Sequence, residues 1–202
     1  MAFGDILYDT DQPFLHVYFP LTGYVSHVTE LSGHQPLEMG LVGNEGMLGA
    51  TLSLGVNCAP MRAVVQGAGT ALKMAASQLR RELARCPGLQ HSLNRYLFVL
   101  LAQLAQTAAC SHFHEIEPRL VCWLLLTHDR AHADHFRLTH AYLADMLGVR
   151  RSGISIAAGA LQQRGLIRYS RGQIVILDRQ GLEAASCDCY AALRQDYAQG
   201  FA

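Results

Sequence analysis

The chain has 202 residues, half of them hydrophobic and only 16% charged, and its formal net charge at pH 7 is zero. That length allows one large domain or two small ones with real cores. No stretch approaches the roughly 20 apolar residues of a membrane span. The opening MAFGDILYDTDQPF lacks the basic-then-apolar pattern of a signal peptide. A cytoplasmic protein with no membrane partner is therefore expected. Its six cysteines (Cys58, Cys86, Cys110, Cys122, Cys187 and Cys189) are scattered. That spacing suits reduced thiols rather than a disulfide framework.

Residues 1–75 read as β structure. ILYDT, LHVYFPL, GYVSHVTEL, LEMGLVG and MRAVVQG are short, rich in Val, Tyr, Phe and Leu, and separated by Gly, Pro, Asn or Asp. Strands recurring about every ten residues suggest a small barrel or roll. The pattern changes at Ser77, which reads as the N-cap of a helix that stops at Cys86-Pro87-Gly88. Over residues 89–114, Leu93, Leu97, Leu100, Leu104, Thr107 and Ser111 recur at heptad-like spacing. Tyr96, Phe98, Val99 and Leu101 make other faces of this helix apolar too. It suits either a core helix or one that packs both on its own domain and on a symmetry mate. The second is favoured, because a roll on one side leaves the other side bare. A further helix, EIEPRLVCWLLLTHDRA, has Pro118 in its first turn, with Glu115 and Glu117 complementing the macrodipole. HDRAHADHFR (128–137) reads as a polar connection.

The zero net charge is unevenly spread. Between Arg137 and Arg179 there are seven arginines against Asp145 and Asp178. Such a local excess is the footprint of a phosphate-backbone binder. Within it, Thr139 can cap a helix over His140–Leu147, Gly148 permits a turn, and a second helix runs from about Arg151 to Arg164. GLIRYSRGQIVIL then alternates as two strands around a tight Arg171-Gly172 turn. This order is the layout of a winged helix-turn-helix, whose second helix enters the major groove. On its wheel Ile154, Ala157, Ala158 and Leu161 share the core face. Ser152, Ser155, Ile156 and Gly159 oppose them, with Arg151 at the edge. Arg151 suits guanine or phosphate, and Arg150 phosphate. Ile156 reads equally as a contact for a thymine methyl or as a scattered surface apolar residue. Thr139 and His140 stand where a helix N-terminus grips phosphate; Arg168 and Arg171 flank the wing.

The whole order resembles the Crp/Fnr family of bacterial transcription regulators. The resemblance rests on GDILYDTDQPFLHVYFPLTGYVS in the roll and LTHAYLADMLGVRRSGIS…LQQRGLI in the DNA-binding element. It implies an α+β protein: a cyclic-nucleotide-binding-like β-roll (1–88), a dimerisation helix (89–114, through Leu93, Leu97, Leu100, Leu104 and Thr107) and a winged helix-turn-helix (115–202). The family's first roll strands normally follow a leading helix, so a short N-terminus is expected, from start-site choice or from trimming. The family's base-reading positions fall on Arg151, Ser152 and Ile156. Nucleotide-responsive members carry arginine, glutamate and a second basic residue there, so a different target sequence is expected. Those members also have Gly-Glu and then Arg-Ser in the phosphate cassette. Here the stretches read Gly49-Ala50 and Met61-Arg62-Ala63. The glutamate is missing and the arginine is displaced by one position, which in a strand turns it to the other face. Cyclic-nucleotide binding is therefore not expected.

The expected protein is a homodimeric, sequence-specific DNA-binding regulator, with RNA polymerase as a further partner and a roughly palindromic site. The alternative is a small-ligand or cyclic-nucleotide sensing module that acts through protein contacts. No enzyme signature is present. No cofactor is assigned; haem on His16 or His27 follows from family analogy alone. No metal site is expected, because Cys187 and Cys189 stand closer than the usual CxxC loop. His112, His114, His128, His132 and His135 make a histidine-rich region that reads as exposed loop histidines, with a metal or pH role as the alternative.

Overall fold

The computed structural model describes residues 1–201. The N-terminal part is built from strands β1 (Ile6–Tyr8), β2 (His16–Pro20), β3 (Tyr24–Thr29), β4 (Leu37–Val42), β5 (Arg62–Gly67) and β6 (Ala71–Ala75), with a 3-10 turn at Ala50–Leu54. One antiparallel sheet has the order β1-β5-β3-β4, and β2 pairs with β6 in a second. The central strand β3 reads YVSHVT and is buried along nearly its whole length, so both faces are covered. Val25, Val42, Leu48, Ala63 and Val65 form one core cluster. Phe14, Val17, Met47, Leu52, Leu79, Leu93 and Tyr96 form the other, which continues into the helices.

The expected strands are all present, and β6 is one the pattern did not give. Its ALKMA core alternates weakly, and Lys73 is turned toward the Tyr18 ring on the paired strand. Helix α1 (Ala76–Arg85) follows β6 directly and is capped at Ala75, so Ser77 lies inside the helix rather than at its N-cap.

Helix α2 (Pro87–Phe113) begins with proline in its first turn, where the missing N–H costs nothing. It is long and apolar enough, by length and composition, to cross a bilayer, which corrects the reading that no stretch approaches a span. Instead, Leu93 and Tyr96 enter the roll core. Val99 meets the last helix so closely that a Cβ on Gly200 would collide with its Cγ2.

The C-terminal part contains α3 (Ile116–Ala131), β7 (His135–Arg137), α4 (His140–Leu147), α5 (Arg151–Gln163), β8 (Ile167–Ser170), β9 (Gln173–Ile176), α6 (Arg179–Ala185) and α7 (Asp188–Phe201). The expected polar connection at 128–137 is thus the last turn of α3 followed by a strand. Its third sheet has the order β7-β9-β8. A single core joins Leu120, Leu124 and Leu125 of α3 with Leu143, Ile154, Leu161, Ile174 and Leu182, and extends to Tyr190 and Leu193 of α7. Helix α7 also packs along α2, which ties the C-terminal core to the long helix.

Candidate nucleic-acid interface and effector cavity

Helices α4 and α5 form the expected helix-turn-helix. Thr139 caps α4: its exposed hydroxyl oxygen accepts from the Tyr142 amide at 3.1 Å. Gly148 ends α4 in the left-handed region at φ 63°. On α5, Ile154, Ala157, Ala158 and Leu161 are buried, as the wheel predicts. Arg151, Ser152, Ser155 and Ile156 are exposed, with Ile156 at 75%. A Cβ at Gly153 would lie 2.5 Å from Ile116 Cδ1, so this glycine serves the close approach of α5 to α3. The wing turns at Arg171 (φ 49°) and Gly172 (φ 78°), the paired positive angles of a primed hairpin turn.

Arg150, Arg151, Arg168 and Arg171 are exposed and take part in no salt bridge among the described residues. Two other arginines of the basic segment are engaged: Arg164 pairs with Glu117 at 2.8 Å, and Arg179 with Asp129 at 2.7 Å and Glu183 at 3.1 Å. Arg137 lies exposed on β7.

His140 is placed differently from the sequence expectation. Its ring stacks on Tyr169 of the wing, with centroids 4.0 Å apart and 20° between planes. Its Nδ1 lies 2.9 Å from Ser155 Oγ, whose hydroxyl donates to the Arg151 carbonyl at 3.1 Å. The Nε2 atom is buried without a partner. Burial, followed by the Arg151 charge, holds the imidazole below its ordinary pKa. His140 and Ser155 thus join the wing, α4 and α5 to one another.

In the roll, a cavity of about 150 Å³ is lined by Tyr8, Phe14, His27, Met47, Gly49, Ala50 and Met61, and by Leu97, Leu100, Leu101, Gln103 and Leu104 of α2. Of the four expected pocket residues, Gly49, Ala50 and Met61 line it, whereas Arg62 does not. Arg62 pairs with Asp9 at 2.9 Å and Glu30 at 2.6 Å. His27 faces the Tyr8 hydroxyl at 2.9 Å, and burial pushes its pKa down to about 4, so it is neutral at pH 7. The cavity therefore offers no cation to a phosphate. His27 is on this lining, whereas His16 lies on the β2–β6 sheet.

The stripe expected to dimerise divides. Leu93 is buried in its own roll, at 6% exposure, and Leu97, Leu100 and Leu104 are half-buried at the cavity. Thr107 is half-buried beside β4 and α3. The outward apolar residues are one position on: Phe98 (65% exposed) and Leu101 (64% exposed), followed by Ala105 and Ala108.

Buried polar contacts join the roll to the C-terminal part. Glu38 of β4 accepts from Trp123 Nε1 at 2.7 Å and from the Ser26 hydroxyl at 2.5 Å. Burial pushes its carboxyl up to about 7, against those two hydrogen bonds and the Arg130 charge. Arg130, 5% exposed, donates to Glu45 at 2.7 Å and to Tyr197 at 3.3 Å.

A last group lies where α2 ends. Cys110, His114, Cys187 and Cys189 have all four ligand atoms within 4.8 Å of one another. Hydrogen bonds from Cys110 and then Cys122 hold the Cys187 thiol well below its usual range. Cys110 is pushed up, chiefly by its hydrogen bond to Cys187, and Cys189 is pushed up by burial. The short Cys187-x-Cys189 spacing argues against a metal site when read alone. Ligands from a distant helix complete the set, and the only sequence signal for them is an i, i+4 pair, Cys110 and His114. The remaining histidines do not converge: His128 pairs with Asp134 at 2.7 Å, His132 caps α3, and His112 is exposed.

A β-roll, a long helix and a winged helix-turn-helix define the fold of Crp/Fnr-type transcription regulators. Residues 118–185 match the family model described as the Crp-like helix-turn-helix domain. The whole chain is similar in fold to FixK2 from Bradyrhizobium japonicum, at 19% identity, covering 92% of this chain and 94% of that one with a TM-score of 0.77. It is also similar to a transcriptional regulator of the CRP family from Thermus thermophilus (18% identity, 92% and 95% coverage, TM-score 0.74). A third likeness is to CLP, the c-di-GMP responsive global regulator of Xanthomonas campestris (17% identity, 87% and 91% coverage, TM-score 0.70). No curated protein sequence matches this chain.

Proposed function

We propose that this protein is a cytoplasmic, homodimeric, sequence-specific DNA-binding transcription regulator of the Crp/Fnr type that does not take a cyclic nucleotide. The observation that carries the reading is the outer face of α5. Arg151, Ser152 and Ile156 are exposed on its first turns, beside the exposed Arg150, Arg168 and Arg171. This is the arrangement of a recognition helix flanked by phosphate contacts. Arg151 reads bases, with Ile156 against a thymine methyl; Arg150, Arg168 and Arg171 hold phosphates. Thr139 and His140 act indirectly, by fixing α4 and the wing.

The outward Phe98–Leu101–Ala105–Ala108 stripe of α2 supports the homodimer, because such a stripe on a long helix needs an apolar partner. The cavity supports an uncharged apolar effector over a phosphorylated one, since its titratable lining is neutral His27 and Tyr8. RNA polymerase is a partner by the nature of such regulators.

Selection of binding sites from random duplex DNA tests the reading. A roughly palindromic site with half-sites about one helical turn apart is expected. Arg151→Ala should change the selected bases at a cost of about 1–3 kcal/mol, whereas Arg168→Ala should weaken all sites alike and lower the salt slope by about 1. DNA affinity that is independent of salt would favour the module acting through protein contacts instead.

A further inference from the structure

The group at the end of α2 has the composition and the spacing of a metal site. Cys110 lies in the last turn of α2 and His114 caps that helix. Cys187 immediately precedes α7 and Cys189 lies in its first turn. Cys110 Sγ is 3.7 Å from Cys187 Sγ, and Cys189 Sγ is 3.3 Å from His114 Nδ1. A tetrahedral zinc ion with bonds of about 2.3 Å to sulfur and about 2.0 Å to nitrogen sets ligand atoms about 3.5–3.8 Å apart. The observed distances lie close to those edges, and a spread of at most 4.8 Å leaves room for a single ion.

The surroundings fit as well. The cysteines are free thiols, with Cys187 and Cys189 buried. Gln106 donates its Nε2–H to Cys189 Sγ at 3.0 Å, as a hydrogen bond to a coordinated thiolate would require. Cys110 and Cys189 also line a cavity of about 90 Å³, which gives an ion a way in. Three thiolates and one imidazole are soft, nitrogen- and sulfur-rich ligands that select zinc-class ions over magnesium or calcium.

We propose that Cys110, His114, Cys187 and Cys189 bind one zinc-class divalent ion that fastens the end of the long helix to the start of the last one. The ion joins segments more than 70 residues apart, at the point where α2 gives way to the helix-turn-helix domain. Cys122, which sits beside Cys187, is not among the four and serves as a neighbour.

The full-length protein, reduced and stripped with chelator, is titrated with Co²⁺ and then with Zn²⁺. The expected result is one cobalt per chain, with the intense visible bands of a tetrahedral site and a thiolate-to-cobalt charge-transfer band, both bleached by zinc. His114→Ala should weaken binding at least tenfold and Cys189→Ser more, while Cys86→Ser and His132→Ala leave the titration unchanged. Because Cys189 is buried, the half-exposed His114 supplies a variant that keeps its fold, checked by circular dichroism. A pale octahedral spectrum, or a titration of either ligand variant that superimposes on the parent, overturns the assignment. DNA plays no part in this readout, so it stands apart from the regulatory reading.

Discussion

Glu38 gives a quantitative test of the junction between the roll and the helix-turn-helix domain. The residue is 7% exposed, accepts from Trp123 Nε1 and the Ser26 hydroxyl, and feels the Arg130 guanidinium, with the Tyr24 and Tyr142 rings also close enough to sense its charge. Burial dominates and raises its carboxyl from an ordinary 4.5 to about 7. A raised acid binds its proton more tightly in the folded state than in the unfolded one. Stability is therefore full below about pH 4.5, falls as pH rises from there to about 7, and is level above. The span corresponds to about 3 kcal/mol. Glu38→Gln imitates the protonated form: its carbonyl can accept from Trp123 while its amide donates to Ser26. Unfolding of parent and variant by urea, repeated from pH 4.5 to 8, should show the parent losing about 3 kcal/mol relative to the variant across that window. In thermal unfolding this is a relative fall of about 6–12 °C for a chain of this size. Parallel curves would refute the argument, because they would mean that Glu38 keeps its ordinary pKa or stays solvated.

Other outcomes follow from the same geometry. His140→Ala removes the stack on Tyr169 and the contact with Ser155. It should lower DNA affinity for all sequences alike and loosen the wing, read as faster hydrogen exchange over 167–176. Phe98→Glu puts like charges on the outward stripe of α2 and should convert a dimer to a monomer in sedimentation, with an unchanged circular dichroism spectrum; an unchanged mass would place the interface elsewhere. Arg62→Ala breaks two half-exposed ion pairs outside the cavity, so it should cost at most about 1 kcal/mol in unfolding and leave DNA affinity intact.

Legibility in the sequence tracks how local the determining interactions are. The core face of α5 follows from helical periodicity alone, and the wing turn from Arg171-Gly172 between alternating strands; both are set within about a dozen residues. The displacement of Arg62 from the pocket follows from strand alternation, and the structure has Met61 on the cavity with Arg62 turned to Asp9 and Glu30. The α2 stripe is harder to read. Leu97-Phe98 and Leu100-Leu101 are adjacent apolar pairs, and only the position of the roll decides which member of each pair turns outward. His140 reads as a free phosphate ligand because its ring partner, Tyr169, lies in the wing and arrives only when the wing folds back. The cysteine–histidine group is hidden for the same reason. Spacing rules for metal loops assume ligands close in sequence, whereas half of this set comes from a helix more than 70 residues upstream.

The same contacts explain how one helix can serve a cavity, an outer stripe and a DNA-binding domain. Leu100, Leu101, Gln103 and Leu104 line the roll cavity, while Phe98 stands on the outward side of the same two turns and the largely exposed Leu101 borders both. A group that enters the cavity meets these α2 side chains on one side and strand, loop and 3-10-turn residues of the roll on the other. Gln103 accepts from the Tyr197 hydroxyl of α7 at 3.4 Å, Tyr197 accepts from Arg130 of α3, and Arg130 is held by Glu45 of the roll. Glu38 and Trp123 make the second bridge between the same parts. Buried polar groups tolerate poorly any arrangement that leaves a partner unsatisfied, so a shift of α2 is met by repairing the whole set or breaking it. The junction is thereby inclined toward a small number of discrete arrangements, which is what the proposed function requires of the element between the roll and the helix-turn-helix domain.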